Sequence, residues 1–180
     1  MFAEFGYGVL LVGFIVTIYS GFAAVYGEMN KSAAWVESAR RAQLLTFPLI
    51  SIAAGVLIYL LVNNRFEVAF VYEVTSRSMP TYLKVTAWWG GQAGSLVFWS
   101  WLLAVFTSAV TLRKWDRDAE FLPWVILVSS ITLAFFLGMV VFYENPFTRF
   151  WVVNGSVEPS MFAPSAAATV FTPQDGQGLN

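Results

Sequence analysis

An aromatic and glycine-rich stretch contains the residue types that could best build a binding surface. It begins with Trp88, Trp89, Gly90 and Gly91 and extends to Trp99. Each indole ring offers a flat apolar face and one N–H donor. Glycine adopts backbone angles that other residues resist, so the glycine pair predicts a sharp turn. The stretch therefore predicts a turn with an aromatic surface for a flat partner, or a tryptophan belt at the level of the lipid headgroups.

Two residue types that often carry out catalysis or bind metals are missing from the sequence. There is no Cys, so no thiolate nucleophile or thiolate metal ligand is available. There is no His, the usual general base at neutral pH and a common ligand of haem iron. We therefore expect no catalytic residue and no metal-ligating residue. The net charge of −1 gives no indication of nucleic-acid binding, which requires clustered cations.

Two cations, Arg77 and Lys84, precede the aromatic stretch. Such groups bind carboxylates and phosphates through charge-assisted hydrogen bonds. They are therefore candidates for attracting an acidic partner. An equally good interpretation is that both contact lipid headgroups.

The composition indicates which elements must position these residues. Hydrophobic residues make up 58% of the 180 positions and charged residues only 12%. About 20 mostly apolar residues in a helix are needed to cross the hydrocarbon core of a bilayer. Four segments meet that length and are nearly free of charge, so we expect an all-α integral membrane protein with transmembrane helices at about residues 5–26, 43–62, 94–112 and 122–143.

The polar residues concentrate in two segments between or after these helices. Residues 1–145 are expected to form the membrane domain, with residues 63–93 as an outer loop. Within that loop, period-2 alternation over residues 66–74 predicts a strand, and Pro80 predicts the first turn of a short interfacial helix. Residues 146–180 are expected to be an extracytoplasmic tail, irregular from residue 152 because Pro, Ser, Ala and Gly dominate there.

The orientation follows from the positive-inside rule, since Lys and Arg favour cytoplasmic loops. Two short loops carry six of the ten cations, and the other four are spread over longer segments. We therefore expect both termini to be extracytoplasmic. The six cations are Lys31, Arg40, Arg41, Arg113, Lys114 and Arg117, and the other four are Arg65, Arg77, Lys84 and Arg149.

Several motifs in order resemble the amino-terminal part of the CcmF family, the haem lyase subunit of bacterial cytochrome c maturation. They are SRSMP at 76–80, YLK at 82–84, AWWGGQAGSL at 87–96 with Trp99, NPF at 145–147 and DGQGLN at 175–180. The resemblance runs from about residue 65 to the last residue. One departure is Ala93, where the family usually has an acidic residue. Family members are also several times longer, and the histidines that hold haem come later in them.

This resemblance implies a location in the bacterial inner (cytoplasmic) membrane and a role in attaching haem to apocytochrome c outside the cytoplasm. Haem is the implied cofactor or substrate, with axial ligands from outside this chain. The implied partners are a haem chaperone, apocytochrome c, other cytochrome c maturation subunits and membrane lipid. The implied haem-contacting residues are Trp88, Trp89, Gly90, Gly91 and Trp99, with Arg77 and Lys84 near the propionates.

Two other classes of function fit the same sequence. A transporter subunit would also have four transmembrane helices, but it predicts polar or broken helices near the midplane of the bilayer. A non-catalytic structural subunit would explain the absence of Cys and His without haem. By any of these interpretations, we expect the chain on its own to have no catalytic activity.

Overall fold

The computed structural model describes residues 1–115 and 118–178, and its main elements are six α-helices. Four of the helices are long and apolar enough to cross a membrane, which confirms the expected fold class. The long helices are α1 (Phe2–Met29), α2 (Ala33–Val62), α5 (Gln92–Leu112) and α6 (Leu122–Phe142). The short helices are α3 (Ala69–Val74) and α4 (Thr81–Thr86). A short helix is present where the interfacial helix was expected, as α4, with Pro80 as its N-cap and not its first residue. Its position at the membrane interface stays a prediction.

Helix α2 is longer than its apolar segment predicts. It begins at Ala33, so Arg40 and Arg41 lie on a helix and not in a loop. Thirty residues of α-helix are about 45 Å long, more than the roughly 30 Å of hydrocarbon. The extension is stabilised by polar contacts: Arg41 Nε lies 2.9 Å from Glu37 Oε1, and Arg40 Nε donates to the Thr111 carbonyl at 3.1 Å. Arg117, counted with these cations, lies outside the described residues.

The four long helices form a ring in which α1 packs on α2 and α6, and α5 also packs on α2 and α6. The interior contains fully buried aliphatic side chains such as Leu10, Leu57 and Leu133. The outside of the ring is also apolar, with Phe22 and Phe135 both more than 60% exposed. Helices that are hydrophobic all round are typical of membrane spans.

A buried polar cluster connects all four long helices. Gln43 of α2 accepts hydrogen bonds from Ser20 of α1 at 3.2 Å and Ser130 of α6 at 2.9 Å. Its amide nitrogen donates to Thr107 of α5 at 3.1 Å. We call these four residues the Gln43 cluster. No feature of the sequence analysis predicted it.

Both polar segments lie at one end of the ring, which we call the loop-bearing end. There α1 and α5 begin, at Phe2 and Gln92, and α2 and α6 end, at Val62 and Phe142. Residues 63–91 and 143–178 cover this end. The division of the chain into domains stays a prediction.

The strand expected over residues 66–74 is wrong, because most of that segment is helix α3. Only its start pairs like a strand: Val68 forms an isolated bridge with Arg149. The alternation would have left Ala69 and Val71 exposed, yet both are buried, as is Phe70 between them. Burial on both sides of the chain removes the one-sided environment that stabilises an amphipathic strand.

The tail expected to be irregular carries a three-stranded antiparallel sheet. Its strands are β1 (Arg149–Val153), β2 (Ser156–Ser160) and β3 (Thr169–Val170), in the order β2-β1-β3. Asn154 and Gly155 connect β1 to β2 with φ angles of 51° and 87°. An Asn-Gly pair is the strongest short-range signal for such a hairpin, and the composition of the tail concealed it.

Candidate functional site

The predicted turn lies between the 3₁₀ helix Ala87–Trp89 and α5, but its glycines have ordinary angles. Gly90 has φ −78° and Gly91 has φ −113°, both accessible to any residue. The expectation of unusual backbone angles is therefore wrong. Space is the reason for glycine at position 91, since a Cβ there would lie 2.7 Å from Phe70 Cε2. At Gly94 a Cβ would lie 2.0 Å from the Trp88 carbonyl oxygen, so the turn packs directly on the first turn of α5.

The first tryptophan of the stretch belongs to the core. Trp88 is 8% exposed, and its ring makes edge contacts with Phe98 at 5.2 Å and Trp101 at 6.1 Å between centroids. Its Nε1 is buried and has no hydrogen-bond partner among the described residues. Trp101 also contacts α2, because its Nε1 donates to Ser51 at 3.0 Å. Trp88 thus supports the turn from inside.

The other two tryptophans are on the surface. Trp89 is 49% exposed and Trp99 is 54% exposed. Together with Ser95 and Phe98 they line a hollow of about 340 Å³, which we call the aromatic hollow. The Ser95 hydroxyl donates to the Trp89 carbonyl at 2.8 Å and so ties the turn to α5. This arrangement provides a largely apolar surface for a flat ligand.

The two predicted cations do not line the aromatic hollow. Lys84 is only 5% exposed, and its ammonium donates to the Asn64 side chain. Arg77 donates through Nε to the Gln174 carbonyl at 2.7 Å, and its backbone N–H donates to Asp175 Oδ1 at 2.7 Å. Both cations thus connect segments of the loop-bearing end.

Helix α4 exposes apolar side chains and buries its cation. Tyr82 is 68% exposed and Leu83 is 37% exposed, whereas Lys84 beside them is buried. A helix that faces water exposes its charged side chains and buries its apolar ones, so α4 shows the reverse pattern. It fits a helix whose outer side contacts the interfacial region of a bilayer.

The motif at residues 175–178 docks onto residues 72–77, at the end of α3 and the start of the motif at residues 76–80. Gln177 N–H donates to the Tyr72 carbonyl at 2.7 Å, and Gly178 N–H donates to the Thr75 carbonyl at 3.1 Å. A Cβ at Gly176 would lie 2.0 Å from the Thr75 carbonyl oxygen, so only glycine allows this approach. The last two residues of the motif, 179 and 180, lie outside the described residues.

The NPF motif attaches the second polar segment to the bundle. Phe147 is fully buried, and a Cβ at Gly6 of α1 would lie 2.5 Å from its ring. Asn145 accepts a hydrogen bond from the Phe147 N–H at 2.9 Å, which fixes the turn. Arg149, just beyond, forms a 2.6 Å ion pair with Glu4 of α1.

Three ionisable groups in the segments that cover the loop-bearing end have shifted pKa values. Burial raises the pKa of Glu73, and the nearby Glu144 carboxylate raises it further. The Arg77 and Gly176 N–H groups lower the pKa of Asp175 by donating hydrogen bonds to its carboxylate. The Glu67 carboxylate raises the pKa of Arg65 through a hydrogen bond.

Comparisons with known proteins agree with this architecture. No protein-family model matches the chain. The cytochrome c-type biogenesis protein CcmF of Haemophilus influenzae is 32% identical over 149 residues, which are 83% of this chain and 23% of that protein. The chain is a relative of the CcmF proteins. The CcmF of Escherichia coli is 27% identical over the same shares of the two chains, and the cytochrome c-type biogenesis protein ccl1 of Rhodobacter capsulatus is 30% identical.

A solved structure of the cytochrome c heme lyase CcmF shows the same fold. It superposes with a TM-score of 0.74 at 18% identity, covering 82% of this chain and 25% of that one. The chain thus spans about a quarter of the length of the CcmF proteins it matches. The resemblance drawn from the motifs is confirmed. The four apolar helices and the similarity to bacterial CcmF proteins together indicate a multi-pass bacterial membrane protein.

Proposed function

We propose that this chain takes part in cytochrome c-type biogenesis as a membrane component of a CcmF-like haem lyase. The observation that carries the proposal is the similarity over 149 residues to proteins named for that process, at up to 32% identity. In this role the loop-bearing end faces the extracytoplasmic side, where haem is attached to apocytochrome c. Its partners are a haem chaperone, apocytochrome c and other maturation subunits.

Within that role, the aromatic hollow contacts haem through the exposed rings of Trp89 and Trp99. The half-exposed indoles and Phe98 provide an apolar surface suited to a macrocycle. Haem itself supplies the vinyl groups to which cysteine thiols of apocytochrome c add. Because the sequence has no His and no Cys, the usual axial ligands of the iron come from outside it.

The remaining predicted site residues position the hollow. Trp88 supports the turn from the core, and Gly90 and Gly91 lead it into α5. Arg77 and Lys84 hydrogen-bond within the chain and hold the covering segments in place. We therefore assign these five residues to positioning and leave direct haem contact to Trp89 and Trp99.

The test is complementation of a strain that lacks the gene for this chain. We expect Trp89→Leu and Trp99→Leu each to lower covalently bound haem in c-type cytochromes, and the double variant to lower it further. The matched control is Trp124→Leu on α6, because Trp124 is 50% exposed but lies outside the hollow. Membrane abundance of each variant is measured by immunoblot to separate loss of function from loss of protein.

Three outcomes decide between the candidate functions. Loss of bound haem at normal abundance, with an unaffected Trp124→Leu variant, supports the aromatic hollow. Full maturation in the double variant overturns the role of the hollow and leaves a membrane belt. Full maturation in the deletion strain itself overturns the haem lyase role in favour of a structural or transport subunit.

A further inference from the structure

A second cavity at the loop-bearing end is polar and shares no lining residue with the aromatic hollow. Its volume is about 450 Å³. Its lining includes Phe2 and Leu60 near the ends of α1 and α2, together with the polar residues Asn64, Arg65, Glu67 and Arg149. Nothing in the proposed haem role uses this cavity.

Arg149 offers unused hydrogen-bond donors to this cavity. Its side chain is only 11% exposed, and its Nη2 lies 2.6 Å from Glu4 Oε1. The guanidinium lies 4.7 Å from the centre of the Trp151 ring, which holds it from one face. Its Nε is buried and has no hydrogen-bond partner within residues 1–115 and 118–178, so it does not face the open cavity. The charge of the guanidinium and its remaining Nη donors favour an anionic ligand in the cavity that Arg149 lines.

Arg65 also has donors to spare. Its Nε and Nη2 both contact the same oxygen of Glu67, at 2.7 and 2.6 Å. A guanidinium has five N–H donors, so those of Nη1 remain available. The side chain is 45% exposed and lines the cavity.

The charge around the cavity favours an anion. Asn64 lines the cavity and also accepts from the buried ammonium of Lys84, which adds a third cation. Against Arg65, Arg149 and Lys84 stand the two carboxylates of Glu4 and Glu67. One positive charge is therefore uncompensated within this group of residues.

The position of the cavity favours a lipid as the source of that anion. Phe2 and Tyr59, 5.0 Å apart, lie beside it at the ends of two transmembrane helices, and both rings are 42% exposed. Aromatic rings at helix ends are typical of the headgroup level of a bilayer. A phosphate that enters the cavity at this level can keep its acyl chains against the exposed apolar faces of α1 and α2.

We propose that this cavity binds the phosphate of an anionic phospholipid, with Arg65 and Arg149 donating to the phosphate oxygens. Guanidinium groups bind phosphate with paired charge-assisted hydrogen bonds. The lipid occupies the space between the helix ends and β1 and so stabilises the attachment of the second polar segment. This role does not depend on haem.

The test is native mass spectrometry of the purified chain in neutral detergent with added phosphatidylglycerol. We expect one phosphatidylglycerol to remain bound to the unmodified chain, and Arg65→Gln to lower its affinity about tenfold, the effect of losing one charged hydrogen bond of roughly 1.5 kcal/mol. Arg149→Gln is expected to lower the affinity at least as much. The matched control is Arg41→Gln, which removes a cation from an exposed Arg–Glu pair on α2 and is expected to have no effect.

Two further probes separate the sources of the phosphate. Diacylglycerol with the same acyl chains has no phosphate and is expected not to stay bound, and millimolar inorganic phosphate is expected not to displace phosphatidylglycerol. Equal retention of phosphatidylglycerol by Arg65→Gln and Arg41→Gln overturns the site. Retention of diacylglycerol overturns phosphate recognition, and displacement by inorganic phosphate overturns a lipid as the ligand. Arg149 also pairs with Glu4, so Arg149→Gln can destabilise the fold as well as the site. If Arg149→Gln aggregates, the affinity of Arg65→Gln for phosphatidylglycerol alone tests the proposed site.

Discussion

At the scale of single residues, tryptophans that are neighbours in the sequence differ in their exposure to the surroundings. Trp88 is in the core, whereas Trp89 next to it is half exposed. The sequence predicted an aromatic surface here, because a run of tryptophans beside glycines is visible without a structure. Which ring faces outward depends on the 3₁₀ helix and on Phe98, and neither is specified by local pattern.

Gly91 and Gly94 are required for space, and Gly94 provides the clearest test. We expect Gly94→Ala to lower the free energy of unfolding by roughly 1–3 kcal/mol, the usual cost of overpacking. The added Cβ would lie 2.0 Å from the Trp88 carbonyl oxygen and 2.4 Å from Phe70 Cζ, so the turn has to move. The measurement is thermal unfolding in detergent, followed by tryptophan fluorescence.

The control for this substitution is Gly55→Ala in α2. A Cβ at Gly55 meets nothing within 4 Å, and alanine favours a helix interior over glycine. We expect this variant to unfold at the same temperature as the unmodified chain or slightly higher. If Gly94→Ala and Gly55→Ala have the same unfolding temperature, the turn does not require the absence of a side chain at position 94.

At the scale of elements, the long helices were predictable and the covering segments were not. Apolar runs revealed all four spans, because a helix needs about 20 apolar residues to cross the hydrocarbon core of a bilayer, whatever their order. The first ten residues of α2 were missed, since ion pairs and contacts with α5 stabilise them and hydropathy does not. Helix α3 and the docking of residues 174–178 depend on contacts far apart in the sequence.

The docking of residues 174–178 depends on the charge of Asp175. The Arg77 and Gly176 N–H groups lower its pKa, so the ionised form stabilises docking. This stabilisation is present above the ordinary aspartate pKa of about 3.9 and is lost as the pH falls through the lower pKa of the docked form. We expect Asp175→Asn to speed hydrogen exchange at Gln177 and Gly178 at neutral pH, as measured by mass spectrometry.

The same experiment has an internal and an external control. The unmodified chain is expected to acquire faster exchange at these two amides in acid, after correction for the intrinsic pH dependence, whereas Asp175→Asn shows little further change. Asp118→Asn alters a carboxylate that pairs with Arg113 elsewhere in the chain and is expected to leave both amides unchanged. Unchanged protection in Asp175→Asn would show that the backbone hydrogen bonds alone hold the segment.

At the scale of the whole molecule, a polar cluster and a covered end organise an otherwise apolar ring of helices. The Gln43 cluster joins α1, α2, α5 and α6 through one fully buried side chain. Two polar segments cover one end of the ring and place the aromatic hollow and the polar cavity there. A glutamine at the edge of an apolar run was visible in the sequence, but its three partners lie on three other helices and only packing brings them together.

The Gln43 cluster is expected to determine the stability of the bundle. In Gln43→Leu the Ser130 hydroxyl loses its acceptor and Thr107 loses its donor, whereas Ser20 keeps the Ala39 carbonyl at 2.9 Å. Hydrogen bonds between transmembrane helices contribute about 0.6–2 kcal/mol each, so we expect the free energy of unfolding to fall by roughly 1–3 kcal/mol.

Reversible unfolding in mixed micelles of increasing sodium dodecyl sulfate measures this loss. Thr132→Val is the matched control. Among the described residues, the Thr132 hydroxyl donates only to the Val128 carbonyl within α6, so its removal leaves the hydrogen bonds between helices intact. A loss in Gln43→Leu that is no larger than in Thr132→Val would contradict a role in joining the helices. A larger loss, with unchanged hydrogen exchange at Gln177, would show that the cluster stabilises the ring independently of the covered end.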